Sequence, residues 1–300
     1  MIDRVAISAH AKANLFLRVL AREASGFHTL ETLFTLLELH DLLTVERTEH
    51  GIELLVTGAD TGPVEENLAY RAARMVLDAT GHRFGVRMRL EKRIPVQAGL
   101  GGGSSDGAAA LHAVNALLQH AVPRPELLQF AAKLGSDVPF LASGAPLALA
   151  WGRGERLMRL PPPKPAPALL ALPDIRVSTK DAYALLDAWQ ASETPRGSIV
   201  LDREAFETWG SIGRLGGNDF ENPVFGREPT LRTLFEEMAG TRPLLARLSG
   251  SGAAVVAVFK NEADRDAAAL TIGGKHRILI RTSTRQAPAP GADRSVSEHG

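Results

Sequence analysis

Residues 95–107 read PVQAGLGGGSSDG, five glycines and two serines directly before a long alanine-rich apolar run. Backbone N–H groups in the first turn of a helix lack intrahelical partners and carry partial positive charge. Glycines ahead of them permit positive φ and leave no Cβ in the path of an anion. Together they form a nest of N–H groups that cradles phosphate. The stretch is read as a phosphate loop over 99–107 opening a helix at 104–119, and a side chain at Gly101 is expected to fill the phosphate space. Two familiar patterns fail. Gly103, Ser104 and Ser105 stand where a Walker loop needs Gly-Lys-Ser/Thr, and Ser104 takes the third glycine position of G-x-G-x-x-G. The competing reading is a flexible loop or a glycine contact between packed elements.

Ser104 and Ser105 are expected to cap this helix or to donate to phosphates. Asp106 suits a helix start but would repel phosphate, unless it faces magnesium. No protein ligand to a metal is assigned. A second glycine loop, Ser249, Gly250, Ser251 and Gly252, offers another set of N–H groups, or is a tight turn before AAVVAVF.

The elements that must position these loops alternate in type. LFLRVL (15–20) and ETLFTLLEL (31–39) read as strands around a Gly-Phe-His turn at 26–28. LLTVER (42–47) and IELLVT (52–57) read as a pair joined near Gly51. A helix is expected at 67–80 and a strand at 84–90. Another helix runs over 124–134, ended by Gly135. PPPKPAP (161–167) is read as a stiff linker and domain boundary. A strand (168–172), helices (179–190, 229–239), a strand (253–259), a helix (261–271) and a strand (276–282) follow. The expected organisation is an α+β chain with domains at 1–160 and 168–285 and a disordered tail at 286–300.

Bulk properties exclude several classes. The chain has 300 residues, 45% apolar and 23% charged, enough for a real core. Lys plus Arg equals Asp plus Glu at 34 each, so neither nucleic acid nor an anionic membrane is the expected partner. There is no cysteine, which removes disulfides, thiolate metal sites and thiol nucleophiles. Nine scattered histidines form no HExxH pair. MIDRVAISAHAKANLFLRVL is interrupted by His10 and Lys12 and does not read as a signal peptide. A cytoplasmic setting is expected, with no obligate protein partner.

PVQAGLGGGSSDGAAAL resembles the phosphate loop of the galactokinase, homoserine kinase, mevalonate kinase and phosphomevalonate kinase (GHMP) superfamily. AKANLFLRVLAREASGFHTLETLF (11–34), LGSDVPFLASGAPLALAWGRGE (134–155) and LSGSGAAV (248–255) match it in the expected order. The resemblance runs from about residue 5 to 282 and points to the branch acting on cytidine-diphosphate methylerythritol, in the non-mevalonate isoprenoid route. It implies an N-terminal domain like domain 2 of ribosomal protein S5 and a ferredoxin-like C-terminal domain. It implies ATP with Mg²⁺, held by Pro95, Gly99, Leu100, Gly101, Gly102, Gly103, Ser104 and Ser105.

The family's catalytic pair falls on Asp137, accepting the hydroxyl proton, and Lys12, orienting the hydroxyl and offsetting charge. By themselves, Asp137 reads as a turn residue and Lys12 as a surface charge. The substrate positions fall on Asn14, Phe27, His28, Tyr183, Gly250 and Ser251. Phe27 and Tyr183 are expected to sandwich cytosine while His28 reads its edge. Phe27 stands where many members carry Tyr, and Gln97 where a small residue is commoner. Tyr183 alone would read as core packing. Another kinase of the superfamily is disfavoured by the Gly-Phe-His turn and the triple glycine. A nucleotide-binding regulator without turnover would need neither Lys12 nor Asp137.

Overall fold

The structure, a computed structural model, describes residues 3–190, 200–273 and 277–289. Its first half is a six-stranded sheet built on two long strands, β1 (Arg4–Arg22) and β2 (His28–Thr48), paired antiparallel over their length. The expected strands at 31–39 and 42–47 are one continuous strand, because the His40–Asp41 stretch stays extended and paired with β1. Four further strands complete the sheet, β3 (Ile52–Thr57), β4 (Gly85–Glu91), β5 (Leu147–Gly152) and β6 (Arg156–Arg159), in the order β3-β4-β2-β5-β6. The expected pairing of 42–47 with 52–57 is corrected. β4 lies between them, antiparallel to β2 and parallel to β3. The alternating Val86, Met88 and Leu90 bury one face of β4 completely, which makes it the better inner strand.

Four helices cover this sheet: α1 (Leu68–Ala79), α2 (Gly102–Leu117), α3 (Arg124–Leu134) and α4 (Val138–Ser143). α2 is buried on nearly every side, which its alanines permit by letting neighbours approach closely. It begins at Gly102 and ends at Leu117, two residues earlier at each end than expected.

The second half is an antiparallel sheet of β7 (Pro167–Pro173), β8 (Leu245–Leu248), β9 (Val255–Val258) and β10 (Arg277–Ser283), ordered β10-β7-β9-β8. Around it lie α5 (Thr179–Gln190), α6 (Trp209–Gly213), α7 (Glu221–Arg227), α8 (Pro229–Gly240) and α9 (Glu262–Ile272). The mixed α+β class is thus realised. The proline-rich stretch at 161–167 lies between β6 and the start of β7. An apolar seam joins the halves: Ala11, Ala13, Leu37 and Leu100 pack with Leu170, Leu172 and Val256. The expected disordered tail is corrected for 286–289. Ala289 donates its N–H to the Gly144 carbonyl at 3.0 Å and packs on the first core. The rest of that segment lies outside the described residues.

Candidate active site

β2 is flanked on one edge by β5 along its first part and β4 along its last. In the gap between them sits Asp41, fully buried. Its Oδ1 accepts from Arg93 N at 2.5 Å and Ile94 N at 2.8 Å, and its Oδ2 from Lys92. Lys92 also reaches Asp106 at 2.7 Å. This buried Asp41–Lys92–Asp106 cluster fixes the approach to the glycine loop and the first turns of α2. Burial pushes the Asp106 carboxyl up to about 8, against the pull of Lys92 and with a further push from Asp41. Asp106 therefore faces Lys92, and its other oxygen has no hydrogen-bond partner among the described residues.

Across the loop, β1 carries register shifts between His10 and Lys12 and between Asn14 and Phe16. The Lys12 N–H points away from β2 and donates to Leu100 O at 2.9 Å. Lys12 is 3% exposed, so it is not a surface charge. Its Nζ lies 3.2 Å from Asp137 Oδ2 and donates to Asn14 Oδ1 at 2.7 Å. Asn14 Nδ2 donates to Thr32 Oγ1 at 2.8 Å, and Thr32 donates to Phe16 O at 2.7 Å. An ammonium only donates, so this chain admits one orientation of the Asn14 amide. Asp137 precedes α4, yet its side chain does not cap that helix. Its carboxylate is left to Lys12 and to whatever enters the cleft.

The glycines of the loop differ in what surrounds them. A Cβ on Gly99 would meet Ser249 O at 2.1 Å, and one on Gly101 would meet Lys12 Cγ at 2.8 Å. One on Gly103 would meet nothing within 4 Å. The expectation that a Gly101 side chain fills the phosphate space is corrected: it would strike Lys12, and the open position is Gly103. The serines are corrected too. Gly101, at φ 69° and ψ 21°, is the N-cap, so neither Ser104 nor Ser105 caps α2. Ser105 is buried and donates to His10 O at 2.7 Å, turned away from the loop's open side. Leu100 is 1% exposed and belongs to the apolar seam.

Two cavities meet here. One, about 610 Å³, is lined by the loop from Pro95 to Ser104 and by Thr61, Asn67 and Arg176. The other, about 690 Å³, contains Lys12, Asn14, Asp137, Phe27, His28 and Tyr183. Gly99 and Ser104 line both. The second glycine loop closes their junction. Ser249 Oγ donates to Gly99 O at 2.9 Å, and Gly250 and Ser251 line the larger cavity. Asn218 holds this loop, donating to Leu248 O at 2.8 Å and Gly250 O at 2.6 Å.

At the far end of the larger cavity, Phe27 is 54% exposed, with the Arg153 guanidinium 4.2 Å from its ring centre. His28 stacks on Tyr183 at 4.5 Å and 19°, and Phe220 meets Tyr183 edge-on at 4.9 Å. The expected sandwich of Phe27 and Tyr183 is therefore not formed as such, because His28 itself covers Tyr183. Burial pushes the Tyr183 phenol up to about 12. The sequence reading passed over Thr32, Lys92, Asn218 and Asp187. Only Asp187 carried a local signal, one helical turn beyond Tyr183 in STKDAYALLD.

Among the described residues no group of three or more His, Cys, Asp or Glu side chains could hold a metal. None of their helices is long and apolar enough to cross a membrane.

Residues 67–145 match the model of the GHMP kinases N terminal domain, and 202–276 that of the GHMP kinases C terminal domain. A 4-diphosphocytidyl-2-C-methyl-D-erythritol kinase from Syntrophomonas wolfei is 36% identical over 263 residues, 87% of this chain and 92% of the relative. A solved 4-(cytidine 5'-diphospho)-2C-methyl-D-erythritol kinase superposes with a TM-score of 0.78 at 35% identity, covering 94% of this chain and all of that one. Homoserine kinase from Cytophaga hutchinsonii shares the fold, with a TM-score of 0.68 at 19% identity and 96% of each chain covered.

Proposed function

The chain belongs to the GHMP kinase family, and from that premise we infer that it phosphorylates 4-diphosphocytidyl-2-C-methyl-D-erythritol on its 2-hydroxyl, using ATP, in the non-mevalonate isoprenoid precursor pathway. The observation that carries the site assignment is the Lys12–Asp137 pair beside the Gly99–Ser104 junction of two cavities. Each cavity has room for one substrate. The open face at Gly103 fits a phosphate group, since no atom would meet a Cβ there within 4 Å. ATP, with magnesium as its companion ion, supplies the phosphoryl group. Asp137 accepts the proton of the attacking hydroxyl. Lys12, held by Asn14 and by Leu100 O, orients that oxygen and offsets negative charge between carboxylate and phosphate. Phe27 offers its free face to the cytosine ring, and His28 reads the base edge. A cytoplasmic setting without an obligate protein partner belongs to the same reading.

Asp137→Asn tests it by ADP release. Turnover is expected to fall about 10²–10⁴-fold, the usual worth of general-base assistance, with ATP binding retained. Activity within about threefold of wild type would remove Asp137 as the base. Comparable turnover of mevalonate or homoserine would remove the substrate assignment.

A further inference from the structure

His28 Nε2 lies 2.7 Å from Asp187 Oδ1. An ionised carboxylate is acceptor only, so Nε2 must carry the hydrogen. In the neutral imidazole the other nitrogen, Nδ1, is then an acceptor. Nδ1 has no hydrogen bond among the described residues, and His28, Tyr183 and Asp187 all line the larger cavity. Two further contacts and the helix spacing hold this arrangement. The imidazole lies flat on Tyr183 at 4.5 Å. Tyr183 and Asp187 are one turn apart on α5 and so face the same way. Arg22 Nη1 approaches Asp187 Oδ2 at 3.5 Å.

We propose that Asp187 is a positioning residue that locks His28 in its Nε2–H tautomer, so that Nδ1 accepts from an exocyclic amine and the site selects cytosine over uracil. The two bases differ at one exocyclic position, an amino donor in cytosine and a carbonyl acceptor in uracil. An acceptor at Nδ1 pairs with the first. It leaves the second with two lone pairs opposed and a buried nitrogen unsatisfied. With the opposite tautomer the preference reverses. The inference rests on His28 reading the base, as proposed above.

The test uses Asp187→Asn, whose amide can accept from or donate to Nε2 and so releases the tautomer. Kinetics are measured at about pH 8.5, above the ordinary imidazole range, with the cytidine substrate and its uridine analogue. KM for the cytidine substrate is expected to rise about 10–100-fold, the usual effect of removing an orienting partner, with kcat unchanged. The cytidine-to-uridine ratio of kcat/KM should fall at least about tenfold. ¹⁵N NMR of the His28 ring should move from the Nε2–H pattern to a mixture. A purely structural Asp187 would not shift that spectrum. An unchanged ratio with an unchanged tautomer overturns the proposal. His28→Ala separates the two levels. If it leaves the ratio intact, the base-reading assignment itself fails. If it collapses the ratio and Asp187→Asn does not, only the role of Asp187 fails.

Discussion

Replacing Gly103 by alanine should stabilise the protein while costing it ATP. Gly103 is the second residue of α2, has no positive φ, and an added Cβ would meet nothing within 4 Å. Alanine is favoured over glycine inside a helix by about 1 kcal/mol, somewhat less in the first turn. In a chain of this size that raises the melting temperature by roughly 2 °C. The same methyl stands on the open face of the loop, where a phosphate must approach the N–H groups. Losing one charge-assisted hydrogen bond costs about 1.5–3 kcal/mol, or about 10–150-fold in ATP affinity. Gly101→Ala should behave in the opposite sense. Its φ of 69° adds about 1 kcal/mol of backbone strain. Its Cβ would lie 2.8 Å from Lys12 Cγ, so stability and kcat should fall together through displacement of Lys12. Thermal melts, calorimetric titration with a non-hydrolysable ATP analogue and steady-state kinetics on both variants separate the effects. A Gly103→Ala protein that binds the nucleotide within about twofold of wild type would refute the placing of phosphate on that face.

Asp106→Asn should alter the pH dependence of stability. The folded carboxyl is raised to about 8, well above the ordinary aspartate range, chiefly by burial. Its stabilising contribution is therefore complete below the unfolded value and lost as pH rises through the folded one, by at most about 1.4 kcal/mol per pH unit. Urea titrations across that window should show the Asn variant gaining steadily on the wild type, and a constant difference would count against the shift. Ser105→Ala removes a buried bond to His10 O and should cost about 1 kcal/mol of stability with ATP affinity unchanged. A tenfold loss of affinity would return that hydroxyl to the nucleotide.

The glycine loop was legible because an anion cradle is a local property, written in a few adjacent residues. The roles of its serines were not, because they turn on where the helix begins. With the cap expected at 104, Ser105 falls in the first turn. With the cap at Gly101, it lies a full turn inside and points at β1. The Asp41–Lys92–Asp106 cluster had no sequence signal. Its members are 51 and 14 residues apart, and only the break between β4 and β5 along β2 brings them together. The inner place of β4 was likewise hidden, since turn chemistry at Gly51 suggests a hairpin whether or not another strand later intervenes.

Lys12 shows how far a residue's chemistry depends on its neighbours from other parts of the chain. Its N–H points away from β2 to Leu100 O, tying the strand to the glycine loop, and shifts in the β1–β2 register lie on either side of the segment. There the buried ammonium meets a carboxylate and an amide oxygen, the partners that make its burial tolerable. From the second half of the chain, Gly250 comes close enough that a Cβ there would lie 3.6 Å from Lys12 Nζ. A glycine loop from each half, a carboxylate and an amide on its own strand therefore converge on one lysine. Lys12 takes the space a Gly101 side chain would need and Ser249 O the space beside Gly99, whereas Gly103, with open space beside it in the same loop, is where a ligand has to come.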